Sequence, residues 1–301
     1  MDDPNPDPQS IQAPFPAVPA FTTEASASAL EHDIDRAVAS QSGESEPVAI
    51  GALGGRRDLD AHAHVFLCSD PMAVPRRYTP SADAPLDAWL AHLDAHALCG
   101  GILVQPSFLG TNNARLLQSV AEARARGYEV YASAVVDPRA TAGELADLVR
   151  RHVVSVRLNV VGRAAPMLDR EPWDSFLDRL RARGLALELH ADHASARALL
   201  PRLEAYGVWT VLDHYALAPS AEALGALLLA AGDRVMVKAS APYRLPGADP
   251  SHPSSAHRAR SLNAALRRGL AGDRILYGSD WPHTQHADRT DFARAWGAAT
   301  A

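Results

Sequence analysis

Cysteine is scarce in this chain of 301 residues, which contains only Cys68 and Cys99. Two cysteines cannot form the disulfide framework of a small secreted protein, and they are too few for a thiolate metal site. The sequence begins Met-Asp-Asp-Pro, without the basic region and apolar core of a secretory signal. We therefore expect a reducing compartment, and the cytoplasm is the predicted location.

Long apolar runs and an excess of basic residues are also missing. No apolar stretch approaches the roughly 20 residues that span a bilayer, and the formal net charge is -6 with a pI near 6.1. These properties argue against a membrane protein and against a nucleic-acid or anionic-membrane partner. With 47% apolar residues, the chain is long enough for one large domain of about 250 residues.

Composition divides the chain into two parts. The stretch from Asp2 to Pro19 is rich in proline, and the stretch from Ser40 to Gly55 is rich in Ser, Glu and Gly. Such sequences bury too little apolar surface to offset the entropy lost on ordering. We predict a disordered, low-complexity tail over residues 1–55 and a folded domain over residues 56–301.

Strand-like and helix-like segments alternate from Asp58 onward. Eight runs rich in Val, Ile and Leu show little polar alternation, which is typical of parallel strands buried on both faces. The runs are Leu59–His64, Gly101–Gln105, Glu129–Val135, Val153–Leu158, Leu185–His190, Val208–Leu212, Arg234–Ala239 and Arg274–Tyr277. Helical patterns separate them, so the segments predict consecutive βαβ units. Eight strands favour a (β/α)8 barrel of the TIM type, whereas seven would favour a doubly wound open sheet.

The C-terminal end of the predicted barrel is short. After the eighth strand, only the segment from Asp291 to Trp296 has a helical pattern. The last helix of the outer ring is therefore predicted to be short or missing. Either the N-terminal segment or a second copy of the chain, in a homo-oligomer, could cover the gap.

Two histidines, His62 and His64, stand two residues apart at the end of the first predicted strand. Residues i and i+2 of a strand point to the same face, so both imidazoles project into one small volume. Burying two imidazoles together is costly unless each has a hydrogen-bond partner or a ligand. The pair alone is compatible with a metal ion, a bound carbonyl oxygen or an exposed strand edge.

Polar residues recur at the ends of the later strands, where (β/α)8 barrels place their functional groups. His214 follows strand six and Asp280 follows strand eight, so we expect both to meet His62 and His64 at the barrel mouth. Asp280 is the candidate general base for activating a water. The three imidazoles could bind a divalent metal together with Asp280 or polarise a carbonyl oxygen. Asp213 is expected to point to the opposite face, in a structural role.

Three arginines form a second group: Arg157, Arg163 and Arg244. The guanidinium group is permanently charged and matches the geometry of carboxylates. Arg157 lies in an apolar strand, where an unpaired guanidinium would be very costly. It therefore needs an anion, either a protein carboxylate such as Glu188 or a substrate. Ser107 and Tyr243 are candidate hydrogen-bond donors to the same ligand, and cationic groups in an acidic protein indicate a small di- or tricarboxylate substrate.

The strand ends and adjoining loops contain seven motifs: Asp60-Ala-His-Ala-His-Val-Phe, Arg77-Tyr-Thr-Pro, Val104-Gln-Pro-Ser, Gly110-Thr-Asn-Asn, Val156-Arg-Leu-Asn, Ala241-Pro-Tyr-Arg and Gly278-Ser-Asp-Trp-Pro-His. Together they resemble the amidohydrolase superfamily (amidohydrolase family 2), and within it the 2-pyrone-4,6-dicarboxylate lactonase group. The resemblance covers about Asp58 to His283. It implies a distorted (β/α)8 barrel in an enzyme of aromatic-compound catabolism that hydrolyses a lactone ring carrying carboxylates.

The resemblance also implies roles for individual residues. Asp280 would activate water, while His62, His64 and His214 would bind and polarise the lactone carbonyl. The residues that match substrate-carboxylate positions are Ser107, Arg157, Arg163 and Arg244. The lactonase group works without a metal, whereas most of its superfamily relatives hold one or two divalent ions.

His190 departs from the lactonase pattern, because it stands at the end of strand five, where metal-binding members often place a ligand. An alternative enzyme is therefore a metal-dependent decarboxylase or hydratase of an aromatic-degradation acid, with zinc or manganese held by His62, His64, His190 and Asp280. We expect that no cofactor is required, or that one divalent metal binds if His190 completes the site. A barrel that only binds a ligand is the non-enzymatic alternative.

Overall fold

The computed structural model describes residues 48–248 and 254–301, with the side chains of 254–256 excepted. Most of the predicted tail over residues 1–55 lies outside the described residues. Within the described part, no helix is both long and apolar enough to span a bilayer. The folded part begins with a short 3-10 turn, Ile50–Leu53, in which Ile50 and Leu53 are buried.

Eight parallel strands form one sheet in the order β1 to β8, and each strand is hydrogen-bonded to the next. The strands are β1 (Leu59–Ala63), β2 (Gly100–Val104), β3 (Glu129–Ala134), β4 (Val153–Asn159), β5 (Ala186–His190), β6 (Thr210–Leu212), β7 (Val235–Ser240) and β8 (Ile275–Gly278). This order confirms the predicted (β/α)8 barrel.

The barrel closes where β8 meets β1. Gly278 permits the close approach of the two strands, because a Cβ atom at this position would lie 2.7 Å from the Cβ of His62. Just beyond β8, the Asp280 N–H donates to the His62 carbonyl at 2.7 Å, and the His64 N–H donates to the Trp281 carbonyl at 2.7 Å. Backbone hydrogen bonds therefore hold the predicted base next to the predicted pair of histidines.

Eight α-helices surround the sheet within the described residues. They are α1 (Leu86–Ala95), α2 (Ala114–Ala125), α3 (Ala142–Arg150), α4 (Trp173–Ala182), α5 (His193–Tyr206), α6 (Ala221–Leu229), α7 (Ser254–Gly269) and α8 (Phe292–Thr300). Local signals set several helix ends. Thr141 and Glu144 form a capping box at the start of α3, and Gly207 ends α5 with a φ of 68°.

The last helix, α8, is present and extends beyond the predicted segment from Asp291 to Trp296. The Asp291 side chain accepts from the Arg294 N–H at 2.8 Å and so caps the N-terminus of α8. Phe292, Ala295 and Ala299 are buried. The residues after Trp296 are small and carry little apolar pattern, which explains why the sequence predicted a shorter helix.

Apolar side chains form two main clusters. The larger cluster lies between the strands and the helices and includes Trp89 and Phe176. The second cluster takes at least one residue from each of the eight strands, as expected for the interior of a barrel. Near the carboxyl ends of the strands, buried charged side chains such as Glu188, Lys238 and Asp280 replace the apolar ones. This change in the character of the interior locates the candidate site.

Candidate active site

Several ionisable side chains near the carboxyl ends of the strands are 0% exposed, among them His62, Glu188, Lys238 and Asp280. Ionisable side chains are almost never fully buried unless they are paired. The partners of these four residues therefore show how the site is built.

Asp280 lies two residues after β8 with a φ of 61°, a left-handed backbone that costs a non-glycine residue about 1–3 kcal/mol. Its Oδ2 accepts hydrogen bonds from Arg244 Nε at 2.6 Å and from the Tyr243 hydroxyl at 2.7 Å. Burial alone would raise the pKa of Asp280, but the charge of Arg244 and the neighbouring imidazoles hold this pKa well below its usual range. Asp280 is therefore a carboxylate at neutral pH.

The second carboxylate oxygen of Asp280 faces three imidazoles. Asp280 Oδ1 lies 3.6 Å from Nε2 of His62, 3.5 Å from Nε2 of His64 and 3.9 Å from Nε2 of His214. This buried oxygen has no hydrogen-bond partner within the described residues. The structure thus brings the four predicted residues together around one oxygen that retains its acceptor capacity.

Asp60, within β1, positions the segment that carries Asp280, although the sequence did not single it out as a functional residue. Its Oδ1 accepts from the Ser279 N–H at 2.7 Å, and its Oδ2 accepts from the Ser279 hydroxyl at 2.6 Å and from Trp89 Nε1 at 3.0 Å. Burial raises the pKa of Asp60 in spite of these hydrogen bonds. Its position two residues before His62 was the one signal that could have indicated this role.

Deeper in the barrel lies a layer of charged side chains that we call the floor: Arg157, Glu188, Asp213 and Lys238. Strands β4 and β5 pair Arg157 with Glu188 in register, and Arg157 Nε lies 3.5 Å from Glu188 Oε1. Arg157 Nη2 donates to Asp213 Oδ2 at 2.9 Å, and Lys238 Nζ donates to Glu188 Oε2 at 2.7 Å. The floor therefore pairs two cations with two carboxylates.

The floor answers two questions that the sequence raised. Arg157 has protein carboxylates as partners, both Glu188 and Asp213. The prediction that Asp213 points away from the site is wrong, because Asp213 Oδ1 lies 3.4 Å from His62 Nδ1. The chain turns sharply at His214, where φ is 50°. The alternation of a strand, on which that prediction depended, therefore does not continue past β6.

His190, at the end of β5, contacts Arg157 and borders the cavity. Arg157 Nη2 donates to His190 Nδ1 at 3.1 Å. Burial and the charge of Arg157 lower the pKa of His190 well below its usual value. A neutral imidazole that accepts at Nδ1 carries its proton on Nε2, so His190 has a hydrogen-bond donor available at Nε2.

A cavity of about 270 Å³ lies next to this group of residues. Its volume is close to the lower end of the roughly 300–1,000 Å³ that small-molecule sites occupy. Ser107 lines the cavity, and the arginines and carboxylates among its described lining residues are Arg77, Arg157, Arg244 and Asp280. We call these four charged residues the wall. Because the wall holds three arginines and one carboxylate, it suits a small anion.

Arg77, on the loop after β1, joins the predicted arginines. It donates to the Val161 carbonyl at 2.7 Å and to the Asn159 side-chain oxygen at 3.3 Å, and both acceptors are neutral. Burial and the charges of Arg163 and Arg157 lower the pKa of Arg77. Arg163 is exposed and does not line the cavity. The Arg77-Tyr-Thr-Pro motif was the signal that pointed to this residue.

Tyr243 and Arg244, which were predicted to bind substrate, both contact Asp280. The Tyr243 hydroxyl lies between Asp280 Oδ2 and His283 Nδ1, which is 3.0 Å away. Arg244 also donates through Nη2 to the Thr284 carbonyl at 3.0 Å. Both residues therefore hold the carboxylate, and their contact with a substrate stays a prediction.

A larger cleft of about 600 Å³ lies elsewhere on the barrel. Its lining includes Tyr206, Gly207 and Arg234, which precede β6 and β7 in the chain. The functional residues of (β/α)8 enzymes sit at the opposite, carboxyl ends of the strands. We therefore assign the active site to the smaller cavity, where the imidazoles and Asp280 converge.

Comparison with known proteins identifies the family. The amidohydrolase family model matches residues 59–300, which is nearly the whole described chain. The chain belongs to the amidohydrolase family. This finding confirms the resemblance carried by the seven motifs.

Relatives of this amidohydrolase include two solved structures and a curated enzyme. A proposed 2-pyrone-4,6-dicarboxylic acid hydrolase from Pseudomonas putida is 36% identical, with a TM-score of 0.72 over 80% of this chain and 88% of that chain. The corresponding Acinetobacter baumannii structure, with citric acid bound, is 32% identical, with a TM-score of 0.72 over 80% and 90%. The 4-sulfomuconolactone hydrolase of Rhizobium radiobacter is 26% identical over 240 residues, covering 76% of this chain and 77% of the relative. The family and these relatives establish the amidohydrolase as a hydrolytic enzyme.

Two groups of side chains in the described residues have the spacing of a metal site. One group is His62, His64 and Asp280, and the other is His62, Asp213 and His214. The ligand atoms within each group lie within 4.8 Å of one another. His190 belongs to neither group, so its predicted role as a fourth ligand gains no support from this spacing.

The hydrogen bonds at Nδ1 of the imidazoles, the ring nitrogen away from Asp280, test whether a metal fits. A metal-bound histidine normally donates its other ring N–H to an acceptor. His64 meets this condition, because its Nδ1 lies 2.7 Å from the Val104 carbonyl oxygen. His62 Nδ1 lies nearer to a donor, Lys238 Nζ at 3.1 Å, than to an acceptor, Asp213 Oδ1 at 3.4 Å. The spacing in this amidohydrolase fits a divalent ion, but the shorter hydrogen bond of His62 opposes one.

Proposed function

We propose that this amidohydrolase opens a lactone ring that carries carboxylates, of the 2-pyrone-4,6-dicarboxylate kind. The observation that carries the proposal is Asp280 Oδ1, a buried carboxylate oxygen that faces three imidazoles and lacks a hydrogen-bond partner within the described residues. The names of the relatives support a lactone with acidic substituents, since they refer to a pyrone dicarboxylic acid and a sulfomuconolactone. Catabolism of aromatic compounds is the proposed context.

In the proposed reaction, a water oxygen attacks the ring carbonyl carbon while Asp280 Oδ1 accepts the proton of that water. The bond between this carbon and the ring oxygen then breaks, and the ring oxygen leaves with the electron pair and takes up a proton. The product is an open chain with one additional carboxylate. Because the pKa of Asp280 lies well below its usual range, the base stays ionised at neutral pH.

The imidazoles supply the second part of the proposed chemistry. Negative charge develops on the carbonyl oxygen as water attacks, and hydrogen-bond donors aimed at this oxygen lower the barrier. His62, His64 and His214 lie around Asp280 Oδ1 with their Nε2 atoms toward it. We assign His62 and His214 to the carbonyl oxygen as donors. His64 donates through Nδ1 to the Val104 carbonyl oxygen, so its neutral ring accepts at Nε2, and we assign it with Asp280 to the attacking water. His190, with its donor at Nε2, could contact either this oxygen or a ring carboxylate.

The arginines would bind the carboxylates of the substrate. Arg157 already has Asp213 and Glu188 as partners, so it offers less net charge to a ligand than Arg77 does. We therefore propose that Arg77, which lines the cavity, supplies most of the attraction, and that Arg163, which is exposed outside it, adds attraction through its charge. Ser107 would donate a hydrogen bond, and Arg244 would contact the substrate while holding Asp280. Tyr243 would act mainly by orienting the base.

No proposed step passes through a metal. The alternative activity, a metal-dependent decarboxylase or hydratase, would require the Nε2 lone pair of His62 as a ligand. The contact between His62 Nδ1 and Lys238 Nζ opposes this arrangement. We therefore expect activity to persist in protein treated with a chelator.

The test follows the loss of the pyrone absorbance of 2-pyrone-4,6-dicarboxylate in the presence of the full chain. We expect turnover by the wild type, and a decrease in kcat of roughly 10²–10⁴-fold in Asp280→Asn, because the general base is lost. Calorimetry should show that Asp280→Asn still binds the substrate, and circular dichroism should show an unchanged fold. Unsubstituted 2-pyrone is the matched control substrate and should have a much lower kcat/KM. Absence of turnover by the wild type, or near-normal turnover by Asp280→Asn, would contradict the proposal.

A further inference from the structure

Lys238 has no part in the reaction proposed above, yet it contacts the imidazole of His62 at Nδ1. Of the 29 lysine and arginine residues in the sequence, 28 are arginines and the single lysine is Lys238. Its side chain is 0% exposed within β7. Its Nζ lies 2.7 Å from Glu188 Oε2 and 3.1 Å from His62 Nδ1. A lysine at this position therefore connects the floor to the imidazoles.

The contact between Lys238 and His62 fixes the direction of one hydrogen bond. The amino group of a charged lysine has three donors and no acceptor, so Lys238 Nζ donates and His62 Nδ1 accepts. A neutral imidazole that accepts at one nitrogen carries its proton on the other. Burial and the charge of Lys238 lower the pKa of His62 well below its usual value, which keeps this imidazole neutral. His62 therefore carries its proton on Nε2.

The neighbouring histidine leads to the same assignment by an independent route. His64 Nδ1 lies 2.7 Å from the Val104 carbonyl oxygen, which can only accept, so this nitrogen donates. In a neutral His64 the remaining nitrogen, Nε2, is then an acceptor. His62 Nε2 lies 3.3 Å from His64 Nε2. Since a hydrogen bond needs one proton between its two atoms, the proton belongs to His62.

The other tautomer of His62 also has a partner available. Asp213 Oδ1 lies 3.4 Å from His62 Nδ1 and has no hydrogen-bond partner within the described residues. A proton on Nδ1 could be donated to this oxygen, which would leave Nε2 with a free lone pair. A histidine that donates to a carboxylate in this way is arranged to bind a metal. Lys238 and Asp213 therefore favour opposite tautomers of the same ring.

We propose that Lys238 is a positioning residue that selects the tautomer of His62. Held by Glu188, it donates to Nδ1 of His62 and keeps the ring proton on Nε2. The N–H of His62 then lies on the side of the ring that faces His64 Nε2 and Asp280 Oδ1. In the reaction proposed above, on which this consequence rests, that N–H is a donor to the carbonyl oxygen of the substrate. The same N–H makes His62 a poor ligand for a divalent cation.

The test measures the tautomer directly by 15N NMR on histidine-labelled protein without substrate. The signal of His62 is assigned by its loss in His62→Gln. We expect the Nε2–H tautomer in the wild type. In the double variant Lys238→Met/Glu188→Gln, which removes the donor and its counter-charge together, we expect a shift toward the Nδ1–H tautomer. Lys238→Arg retains a side chain that can only donate and should therefore keep the wild-type tautomer.

The single lysine gives a second readout. Protein labelled with 15N at lysine has only one side-chain amine signal, so no assignment is needed, and this signal should change in His62→Gln. Zinc affinity, measured by competition with a chelating dye, should rise at least about tenfold in the double variant, since the partner behind a ligating histidine changes affinity by roughly 10–100-fold. The kcat for the lactone should fall in the same variant, with a smaller change in KM.

Three results would overturn the inference: an Nδ1–H tautomer in the wild type, an unchanged tautomer in the double variant, or a lysine signal that is unaffected in His62→Gln. If the double variant does not fold, the wild-type tautomer and the lysine signal still test the inference. Because both are measured without substrate, a wild type that fails to hydrolyse the lactone would contradict the proposed function and leave this inference intact.

Discussion

The floor and the wall lie within one barrel mouth, but charges are balanced in the floor and not in the wall. The floor pairs two cations with two carboxylates, and all of its members except Arg157 are at most 1% exposed. The wall presents three arginines and one carboxylate among the described residues that line the cavity. Buried charges are tolerated where they are paired, whereas a partly exposed excess of one sign can be neutralised by a ligand. We therefore expect changes in the floor to alter stability and changes in the wall to alter binding.

Arg157 belongs to both regions, and a comparison with Arg77 shows what separates them. Arg157 is 6% exposed and has two carboxylate partners, whereas Arg77 donates to neutral oxygens. Both side chains are guanidinium groups, so the difference between their roles follows from their partners. A residue type at a strand end is consequently weak evidence for a role until its partner is known.

The largest expected effect comes from breaking the charge balance of the floor. Asp213→Asn removes one carboxylate and leaves Arg157 and Lys238 with Glu188 alone. Removing one partner of a buried ion pair costs about 3–5 kcal/mol, so we expect the free energy of unfolding to fall by about that amount. Urea denaturation followed by circular dichroism measures the change.

The matched control for the floor is Asp147→Asn. Asp147 pairs with Arg150 at 3.2 Å, and both side chains are more than half exposed. Exposed pairs contribute about 0–1 kcal/mol, so this variant should be nearly as stable as the wild type. If Asp213→Asn were also within about 1 kcal/mol of the wild type, the distinction between floor and wall would fail.

A second prediction concerns the stability of the folded protein at acid pH, where protonation of His283 adds positive charge beside the wall. His283 is 3% exposed, and burial lowers its pKa to about 4 in spite of the charge of Asp280. In the unfolded chain its pKa is about 6.5. The folded state therefore resists protonation, and its stability is complete above about pH 6.5 and is lost as the pH falls toward 4. The loss reaches about 3 kcal/mol at pH 4.

Other groups titrate over the same range, so the measurement is a difference between two proteins. The free energy of unfolding of the wild type and of His283→Asn is determined at several pH values from neutral to acid. We chose asparagine because His283 has a φ of 62°, a conformation that asparagine tolerates. The wild type should lose more stability than the variant between pH 6.5 and 4, and parallel curves would contradict the assignment.

Much of the barrel could be predicted from the sequence, because parallel strands buried on both faces are continuous runs of Val, Ile and Leu. Seven of the eight strands begin and end within one residue of prediction, and the carboxyl ends of the strands then locate the site. The convergence of His62, His64, His214 and Asp280 follows from that placement. The extent of α8 was less predictable, since its last turn consists of small residues.

The partners of the charged residues were much harder to predict. Arg157 was recognised as needing an anion, and its partner Glu188 was named correctly. Its second partner, Asp213, was missed, because the left-handed turn that follows it after β6 has no clear sequence signal. Lys238 is a charged residue within an apolar strand and could have been found by the reasoning applied to Arg157. Its contact with His62 joins residues separated by 176 positions. Only the closed barrel brings them together.

The smallest predicted effect tests the wall. Arg77→Gln removes a guanidinium that lines the cavity without a carboxylate partner among the described residues, so we expect KM for the carboxylated lactone to rise about tenfold, which corresponds to about 1.4 kcal/mol. The kcat and the free energy of unfolding should change little.

Arg76→Gln is the matched control, since Arg76 is the neighbouring residue, is exposed and donates to Thr79 at 2.8 Å. Added salt should raise the wild-type KM more than that of Arg77→Gln, because screening weakens the attraction that the variant has already lost. Equal effects of the two substitutions would mean that the general positive charge of the loop, rather than Arg77 in the wall, attracts the substrate.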